Sequence, residues 1–489
     1  MASEITSPGG KMKFFRQHGG AVSCYLLLVL WIFLLLAAMY RFMSREPSLQ
    51  LVGVRQGEQQ QDELGANAER VRRFCNEHFA DGAEGRVGGD FSLLGATVVF
   101  RHGLRGPLVH LRNASALHCA QPPTPPPWAN MSKAPGFTQM LGAFHSFPLA
   151  PTECSGLGQL TPRGAAQLER LGAALRVAYS ERLALNDASR GAPVALLATR
   201  YRRTLQSAVA LLHGLLAPLA LPRLVQPFQE APSVFFCFAD CACAAAERLR
   251  RTIEAEAAAA LRSHPAVTRL AAAAAPFDGV ATPKAVLDAL LVTSCHGSAN
   301  AAAGPLAAYL EWEARRLAAR FKPLALLRAH PLLRHLGAQL LRFVATPTPR
   351  LVLYAGHDRT LQYVAAALGL NTPDAALPPF AARLVIELYR KGMVIVNSWT
   401  NNRVTPFFFV LQGADFFFRL LLNGRDVTSS LSFCRSGLVV YEGVWGAKGQ
   451  RVGVAASLCP LESIVRFLHD DYFAPFNATN AKDACSMHF

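Results

Sequence analysis

The sequence predicts an α/β fold, namely a doubly wound sheet with an inserted, mainly helical subdomain, preceded by one transmembrane helix. Short β-rich runs at 97–100, 194–197 and 350–354 are each followed by polar residues and a helix-like stretch, the order typical of such a sheet. Residues 244–345 are rich in Ala and Leu at helical spacing. Residues 21–40 form an uncharged run of twenty residues.

The composition of the chain limits its class. Of 489 residues, 51% are hydrophobic and 17% are charged, which excludes an intrinsically disordered or collagen-like protein. The formal net charge of +16 is compatible with nucleic acid, a membrane surface or an acidic substrate. Because the sequence contains no zinc-finger spacing, Walker loop or RNA-binding aromatic motif, we expect no nucleic-acid partner.

The N-terminal apolar run, residues 21–40, is long enough to cross a bilayer as one helix. The small residues Ala37 and Ala38 leave a cleaved signal peptide as the alternative. We favour an uncleaved signal-anchor because the run is longer than most signal-peptide cores. Residues 1–20 are then a cytoplasmic tail, and the polar, Gln-rich residues 41–68 are a lumenal stem.

Sequons and cysteines indicate that the chain beyond the membrane run lies in an oxidising lumen, as in a single-pass type II membrane protein. Three asparagines begin glycosylation sequons: Asn113, Asn130 and Asn477. Ten cysteines lie beyond the membrane run: Cys75, Cys119, Cys154, Cys237, Cys241, Cys243, Cys295, Cys434, Cys459 and Cys485. This even number predicts up to five disulfides, and their pairing stays open.

Three closely spaced cysteines leave a second interpretation open. Cys237, Cys241 and Cys243 are candidate metal ligands, and Cys295 or His296 is a candidate for the fourth position. We favour disulfides over this metal site because the cysteines are scattered over the whole body of the chain.

The elements of the predicted body follow one another in a regular order. The β-rich run 97–100 stops at Arg-His-Gly, as a buried parallel strand ending at a site would. Thr161 and Pro162 start a helix, the threonine as its cap and the proline in its first turn. The strand-like run 194–197 leads into a helix over 204–215, and a third strand-like run ends at Ala-Gly-His-Asp.

Two stretches stand apart within the predicted folded domain, 69–489. Residues 244–345 are interpreted as the helical subdomain, whose apolar stripes are core packing. Residues 393–418 contain two Phe-Phe-Phe runs that an ordinary surface loop would not expose. They are either an extra buried hairpin or a gene-model artefact such as a retained intron, and we assign them no function.

The string RHGLRGP, residues 101–107, carries the most specific chemical pattern. Arg101 and Arg105 bracket His102, and guanidinium forks match phosphate oxygens in charge and geometry. A neutral imidazole between them is a candidate nucleophile toward phosphorus, with the cations offsetting the charge of the transferred group. An isolated Arg-His-x-x-Arg is more often an exposed basic turn, so other residues must decide.

Two further groups favour phosphoryl transfer. His357 and Asp358 again follow a strand-like run, and a carboxylic acid there could protonate the departing sugar oxygen. Arg203 opens a helix, where a third guanidinium and the helix N-terminus would bind an anion.

Together these residues resemble the histidine acid phosphatase branch of the phosphoglycerate-mutase-like superfamily, with its RHGxRxP motif and distant His-Asp pair. The resemblance implies a phosphoglycerate-mutase-like α/β fold and covalent catalysis, in which His102 is phosphorylated and Asp358 donates the proton. It assigns the phosphate clamp to four residues: Arg101, Arg105, Arg203 and His357. It implies no metal and no cofactor.

Strings at 203–207, 379–384, 423–428 and 459–462 are similar, within this family, to Golgi type II enzymes of proteoglycan synthesis. That similarity implies removal of the 2-O-phosphate from xylose in the glycosaminoglycan–protein linkage region, which promotes chain elongation. The implied substrate is the phosphorylated xylose of the linkage tetrasaccharide, and the implied partner is the linkage-region glucuronosyltransferase. The implied location is the Golgi membrane, with the catalytic domain in the lumen.

Departures from the family pattern keep two alternatives open. Leu104 stands where many relatives carry an acid, and Arg200 and Arg202 replace acids near the third arginine. The arginines are either solvated surface residues or positive charge that suits an anionic glycan. The alternative functions are a general lumenal acid phosphatase and an inactive, glycan-binding membrane protein.

Overall fold

A computed structural model describes the following residues: 29–32, 34–36, 65–77, 82–109, 127–150, 156–236, 242–273, 283–297, 303–392, 396–400, 403–407, 416–441 and 455–487. The chain divides into two units, Met1–Ala66 and the larger Asn67–Phe489. Most of the expected membrane span, 21–40, lies outside the described residues. In the part of the chain that the structure describes, no single helix is long and apolar enough to cross a bilayer.

The larger unit is built on a mixed β-sheet. Its strands and those of a separate hairpin are β1 (Phe91–Arg101), β2 (Val194–Ala198), β3 (Gln229–Glu230), β4 (Leu351–Gly356), β5 (Arg383–Lys391), β6 (Val396–Thr400), β7 (Arg403–Phe407), β8 (Phe416–Leu422), β9 (Arg425–Asp426), β10 (Val439–Tyr441) and β11 (Ala456–Pro460). The described strands of the main sheet follow the order β10-β11-β8-β5-β1-β4-β2-β3, and β9 pairs with β8.

Half of this sheet is antiparallel, which corrects the expectation of a doubly wound sheet. Strands β1, β4, β2 and β3 are parallel, whereas β5, β8, β9, β10 and β11 pair antiparallel. The reason is local between β8 and β9, where Asn423 and Gly424 both have positive φ (48° and 79°). Such a two-residue turn closes a hairpin and leaves no room for the crossover helix that parallel strands need.

Helices cover both faces of the sheet and form the insertion. They are α1 (65–75), α2 (Phe137–Leu141), α3 (Pro162–Tyr179), α4 (Arg202–Leu215), α5 (Leu221–Leu224), α6 (Ser233–Phe236), α7 (Ala244–Ser263), α8 (Pro265–Ala273), α9 (Pro283–Cys295), α10 (Ala303–Arg320), α11 (Lys322–Ala345), α12 (Asp358–Ala367), α13 (Pro373–Ala376), α14 (Leu461–Arg466) and α15 (Ala481–Ser486). The predicted cap of α3 is confirmed, because the Thr161 side chain accepts a hydrogen bond from Gly164 N.

The alternation of side chains along β1 creates two cores. Val98 and Phe100 pack with the leucines of α3 and α4, while Val99 points to the opposite face and packs with α11 and α12. A third cluster joins α1 to α8, α9 and α10. The long helix α11 therefore packs against the sheet. The prediction that all of 244–345 forms one separate helical subdomain was wrong for this helix.

Three disulfides join cysteines of the described ranges. They are Cys75–Cys295, Cys243–Cys485 and Cys434–Cys459. The sulfur of Cys243 is therefore bonded to Cys485, which overturns the metal-site interpretation that required it. Cys295, one of the two candidates for the fourth ligand, is bonded to Cys75. Cys119, Cys154, Cys237 and Cys241 lie outside the described residues.

The atypical segment 393–418 divides into two parts. β6 and β7 form a two-stranded antiparallel hairpin of their own. Phe416, Phe417 and Phe418 instead begin β8, where Phe417 pairs with Tyr389 of β5. The end of the segment is thus a strand of the main sheet, which explains its apolar character.

Candidate active site

The site lies where three parallel strands end. Arg101, the last residue of β1, is paired with Gly356 of β4, and Ala198, the last residue of β2, is paired with Ala355. The residues that follow these strands therefore meet at the carboxyl edge of the sheet, as expected for an open α/β sheet.

The loop of residues 102–107 is held by a close contact with α3. A Cβ on Gly103 would lie 2.1 Å from the carbonyl oxygen of Gly164, so a side chain there would collide with backbone. Ser207 Oγ accepts a hydrogen bond from Gly103 N (3.2 Å), and Gln167 Oε1 accepts one from Leu104 N (2.8 Å). These contacts fix the loop and, with it, the histidine that precedes Gly103.

His102 is buried and has a defined tautomer. Its Nδ1 lies 2.8 Å from the carbonyl oxygen of Gly103, which can only accept, so Nδ1 carries the hydrogen and Nε2 carries the lone pair. Burial, followed by the charges of Arg203 and Arg101, lowers the pKa of His102 well below its ordinary value of 6.5. The imidazole is therefore neutral and nucleophilic at Nε2.

Arg101 forms an ion pair with Asp358. Its Nη2 lies 3.3 Å from Asp358 Oδ2, and its Nη1 donates to the carbonyl oxygen of Pro378 (2.6 Å). The Asp358 side chain is 42% exposed, toward the cleft. Enclosure in the cleft works to raise the pKa of this carboxyl, but the charges of Arg101 and Arg359 hold it well below its usual range. The carboxyl is ionised while the site is empty.

Arg203 and His357 form a second pair. Arg203 Nη2 donates to His357 Nδ1 (3.4 Å), so His357 Nε2 carries the hydrogen and donates to Thr199 Oγ1 (3.0 Å). Thr199 Oγ1 donates in turn to Thr204 Oγ1 (3.1 Å). Burial and then the charge of Arg203 lower the pKa of His357 to about 3, so this ring is neutral as well.

Arg105 is paired with a residue that the sequence did not reveal. Its Nη1 and Nη2 donate to the two carboxylate oxygens of Asp288 on α9 (3.1 and 2.7 Å), and Leu108 N donates to the same carboxylate (3.2 Å). Nη1 also donates to the carbonyl oxygen of Gly106 (3.0 Å). The donors not engaged in these bonds are Nε and the outer hydrogen of Nη2, which form one edge of the guanidinium.

The structure brings all six predicted site residues together, and three of them, Arg101, His102 and Arg105, lie near one further side chain, Phe380. The centroid of its buried ring lies 4.0 Å from the Arg101 guanidinium carbon and 5.9 Å from that of Arg105. It lies 6.1 Å from the centroid of the His102 ring. The His102 and His357 rings are 5.6 Å apart. Phe380 lies within one of the strings that carried the resemblance, whereas Asp288 has no local pattern around it.

Two buried donors point to an anion. Nε of Arg101 and Nε of Arg203 are both buried, and neither has a hydrogen-bond partner among the described residues. Buried polar hydrogens are normally paired, so these donors suit a ligand that brings its own acceptors. Three guanidinium groups around a neutral imidazole fit a phosphoryl group in number and geometry.

A cavity of about 110 Å³ adjoins this cluster. Its polar lining includes Arg101, Lys284, Asp288, Glu313 and Asp358. Lys284 comes from α9, and burial lowers its pKa. Within the described ranges, no three His, Cys, Asp or Glu side chains are grouped to hold a metal ion.

The family model of the histidine phosphatase superfamily (branch 2) matches residues 92–287 and 309–423. The chain belongs to this superfamily. As a branch 2 histidine phosphatase it is an enzyme, a phosphatase, and the match spans all three strand ends that carry the clustered residues.

Curated relatives of this histidine phosphatase have one name in common. The 2-phosphoxylose phosphatase 1 of Xenopus tropicalis is 28% identical over 445 residues, with 84% of this chain and 81% of the relative covered. That of Danio rerio is 29% identical, covering 85% and 86%, and that of Homo sapiens is 27% identical, covering 82% and 83%. The similarity extends over most of both chains.

Solved structures similar to this histidine phosphatase include a phytase and a multiple inositol polyphosphate phosphatase. The apo phytase of Hafnia alvei has a TM-score of 0.43 at 15% identity and covers 82% of this chain and 100% of that one. The multiple inositol polyphosphate phosphatase of Bifidobacterium longum, in complex with inositol hexasulfate, has a TM-score of 0.47 at 14% identity, covering 82% and 95%. The family assignment rests on the sequence match.

The structure shows what surrounds two positions that depart from the family pattern, Leu104 and Arg200. Leu104 is fully buried and packs in the cluster that contains Phe380, where an acid would lose its hydration. Arg200 is exposed and forms an ion pair with Glu230 (2.9 Å). Of the sequon asparagines, Asn130 and Asn477 are exposed, and Asn113 lies outside the described residues.

Proposed function

We propose that the chain is a phosphomonoesterase that works through a phosphohistidine at His102. The observation that carries the proposal is the hydrogen bond from Nδ1 to the Gly103 carbonyl, because it leaves Nε2 unprotonated inside a group of three arginines. A neutral imidazole with a fixed lone pair attacks phosphorus, and the guanidinium groups offset charge on the transferred group.

The proposed reaction has two steps. In the first, His102 Nε2 forms a bond to phosphorus, the bond from phosphorus to the sugar oxygen breaks, and Asp358 gives its proton to that oxygen. In the second, water gives a proton to Asp358 and attacks phosphorus, the phosphorus–nitrogen bond breaks, and inorganic phosphate leaves. Both residues return to their starting state.

Substrate binding favours the uptake from water of the proton that Asp358 needs. Arg101 holds the carboxyl ionised in the empty site, 3.3 Å from its Oδ2. A bound phosphate dianion offsets the charge of Arg101 and Arg203 and adds negative charge beside the carboxylate. Its pKa therefore rises on binding, which favours the protonated acid in the complex.

As substrate we propose the 2-O-phosphate of xylose in the glycosaminoglycan–protein linkage region, whose release allows the chain to elongate. The name shared by the relatives, 2-phosphoxylose phosphatase 1, supports this choice. We further propose a Golgi membrane location with a lumenal catalytic domain, anchored by residues 21–40, and work close to the linkage-region glucuronosyltransferase. The three disulfides are compatible with an oxidising lumen.

A substrate panel on the full chain in detergent tests the choice of substrate. We expect the highest kcat/KM for a phosphoxylosyl linkage glycan, compared with 4-nitrophenyl phosphate, hexose phosphates and inositol phosphates, and no effect of a chelator. Equal kcat/KM across the panel would instead indicate a general lumenal acid phosphatase. Heparin binding without turnover of any ester would indicate an inactive glycan-binding protein.

The role of Asp358 is tested by its leaving-group dependence. Asp358→Asn is expected to slow the sugar ester much more than 4-nitrophenyl phosphate, because a nitrophenolate leaves without a proton. Asp470→Asn, which changes an exposed acid far along the chain, is the control and should match wild type on both. Equal losses on the two substrates would rule out Asp358 as the proton donor.

A further inference from the structure

A second, larger cleft lies beside the catalytic cavity. It has a volume of about 420 Å³, against about 110 Å³ for the cavity, and the two share Phe74, Leu310 and Leu377 as lining residues. Pockets that enclose a small organic ligand have volumes of roughly 300 to 1,000 Å³. The smaller cavity, which Arg101 and Asp358 line, is thus below this range, and the space for a larger leaving group is in the adjoining cleft.

The position of Asp358 gives the direction of the leaving group. Its carboxyl lines the catalytic cavity together with Phe74 and Leu377. On the proposed mechanism the leaving oxygen must lie beside this carboxyl, on the far side of phosphorus from His102. The leaving group therefore points toward the shared apolar wall and the second cleft.

Two helices line the second cleft with arginine. Arg70, Arg73 and Phe74 are spaced i, i+3 and i+4 on α1, so they share one face of that helix. On α10, Glu311 forms ion pairs with both Arg70 and Arg315, each at 3.3 Å. One carboxylate is thus shared by two guanidinium groups.

Arg73 is the cation in this cleft that forms no ion pair with the described residues. Within the described ranges the structure gives its guanidinium no ion-pair partner, whereas the neighbouring Arg72 pairs with Glu69 (3.0 Å). The other acid in the lining, Asp374, accepts a hydrogen bond from Asn423 (3.3 Å). The cleft therefore combines an apolar wall with three guanidinium groups and two carboxylates.

We propose that this cleft, lined by Arg70, Arg73, Phe74, Leu310 and Arg315, binds an acidic oligosaccharide attached to the phosphorylated sugar. A guanidinium fork recognises carboxylate or sulfate in a bidentate manner, and the apolar wall packs against the carbon faces of sugar rings. The inference rests on the proposed function for the phosphate end of the substrate. It adds a binding site for the part of the substrate that does not react.

Arg73→Gln tests the site, because it removes the charge and keeps an unbranched, polar side chain. The matched control is Arg72→Gln, which changes the adjacent, ion-paired arginine outside the cleft. With a uronate-containing phosphoxylosyl oligosaccharide, Arg73→Gln is expected to raise KM by about ten-fold, the effect of one lost charged hydrogen bond. Its kcat, and both constants for 4-nitrophenyl phosphate, should equal those of wild type and of Arg72→Gln.

A binding measurement separates this proposal from the proposed substrate. Calorimetry with the full chain and a uronate-containing oligosaccharide without phosphate should show binding that Arg73→Gln weakens and Arg72→Gln does not. If the phosphorylated glycan is not hydrolysed while 4-nitrophenyl phosphate is, the proposed substrate fails and the calorimetry still decides the cleft. Equal binding by both variants, or equal KM changes on large and small substrates, would overturn the cleft.

Discussion

At the residue scale, the site balances its charges in pairs. Arg101 faces Asp358 and Arg105 faces Asp288, so two of the three guanidinium groups have a carboxylate partner in the empty site. Arg105 is almost fully buried, and a buried cation without a partner is costly. We infer that Asp288 keeps this cation stable between turnovers and limits how tightly the phosphate product is held.

Asp288→Asn is therefore expected to lower the free energy of unfolding, and bound phosphate should reverse much of that loss. We expect a loss of about 2 to 3 kcal/mol in the free energy of unfolding, below the full cost of breaking a buried pair because Asp288 is partly exposed. Saturating inorganic phosphate should restore at least half of this loss, because the anion replaces the missing counter-charge. Thermal unfolding with and without phosphate measures both effects.

The control for this variant is Glu256→Gln on α7, which removes an exposed acid that also pairs with an arginine. Its unfolding temperature, and the rise that phosphate causes, should match wild type. An equal phosphate-induced rise in Asp288→Asn and wild type would contradict the charge-balancing role.

At the element scale, the contact between the loop 102–107 and α3 positions the nucleophile. Gly103 and Gly164 approach so closely that neither has space for a Cβ, and both neighbours in the contact are backbone. Backbone cannot rotate away as a flexible side chain can. A methyl group at this contact must therefore displace the loop and the histidine that precedes it.

Gly103→Ala is expected to lower kcat/KM for 4-nitrophenyl phosphate by about 100-fold, the effect of misplacing a reacting group by about 1 Å. The unfolding temperature should fall too, since overpacking costs about 1 to 3 kcal/mol. Gly304→Ala on α10 is the control, because the nearest atom to its added Cβ is 3.8 Å away. Wild-type kinetics in Gly103→Ala would show that the contact does not position His102.

The strands of the sheet show what the sequence could and could not predict. β1, β2 and β4 were predictable because each is an apolar run that stops at polar residues. The antiparallel half was not, because the pairing of β5 with β1 joins residues about 290 positions apart and leaves no local pattern. Asp288 escaped prediction for the same reason, since it meets Arg105 only through the packing of α9.

At the scale of the whole molecule, a buried and a partly buried histidine make stability depend on pH. Burial lowers the pKa of His296 and His330 to about 4, from the ordinary 6.5. Between these values the unfolded chain binds more protons than the folded one, so stability falls as pH drops from about 6.5 toward 4. Above pH 6.5 both states are neutral at these residues and the effect vanishes.

His330→Phe should flatten this dependence. The His330 ring packs against Tyr472 and Phe473, with centroids 5.0 and 4.6 Å apart, so a phenyl ring fits the site. We expect the loss of unfolding free energy between pH 6.5 and 4.5 to shrink by about 1 to 2 kcal/mol, given 1.4 kcal/mol per proton per pH unit. Urea unfolding at both pH values measures the change.

His469→Gln is the control for the pH dependence, because His469 is exposed and its ring is hydrated in both states. It should leave the difference between the two pH values unchanged. A His330→Phe variant that loses as much stability as wild type on acidification would show that His330 does not contribute.

The most direct test of the proposed mechanism is to trap the phosphoenzyme during turnover of a ³²P-labelled monoester by the full chain. The account predicts a label that is stable in base and labile in acid, in the peptide that contains His102, and no label in His102→Ala. A label on another residue, or undiminished turnover in His102→Ala, would contradict it.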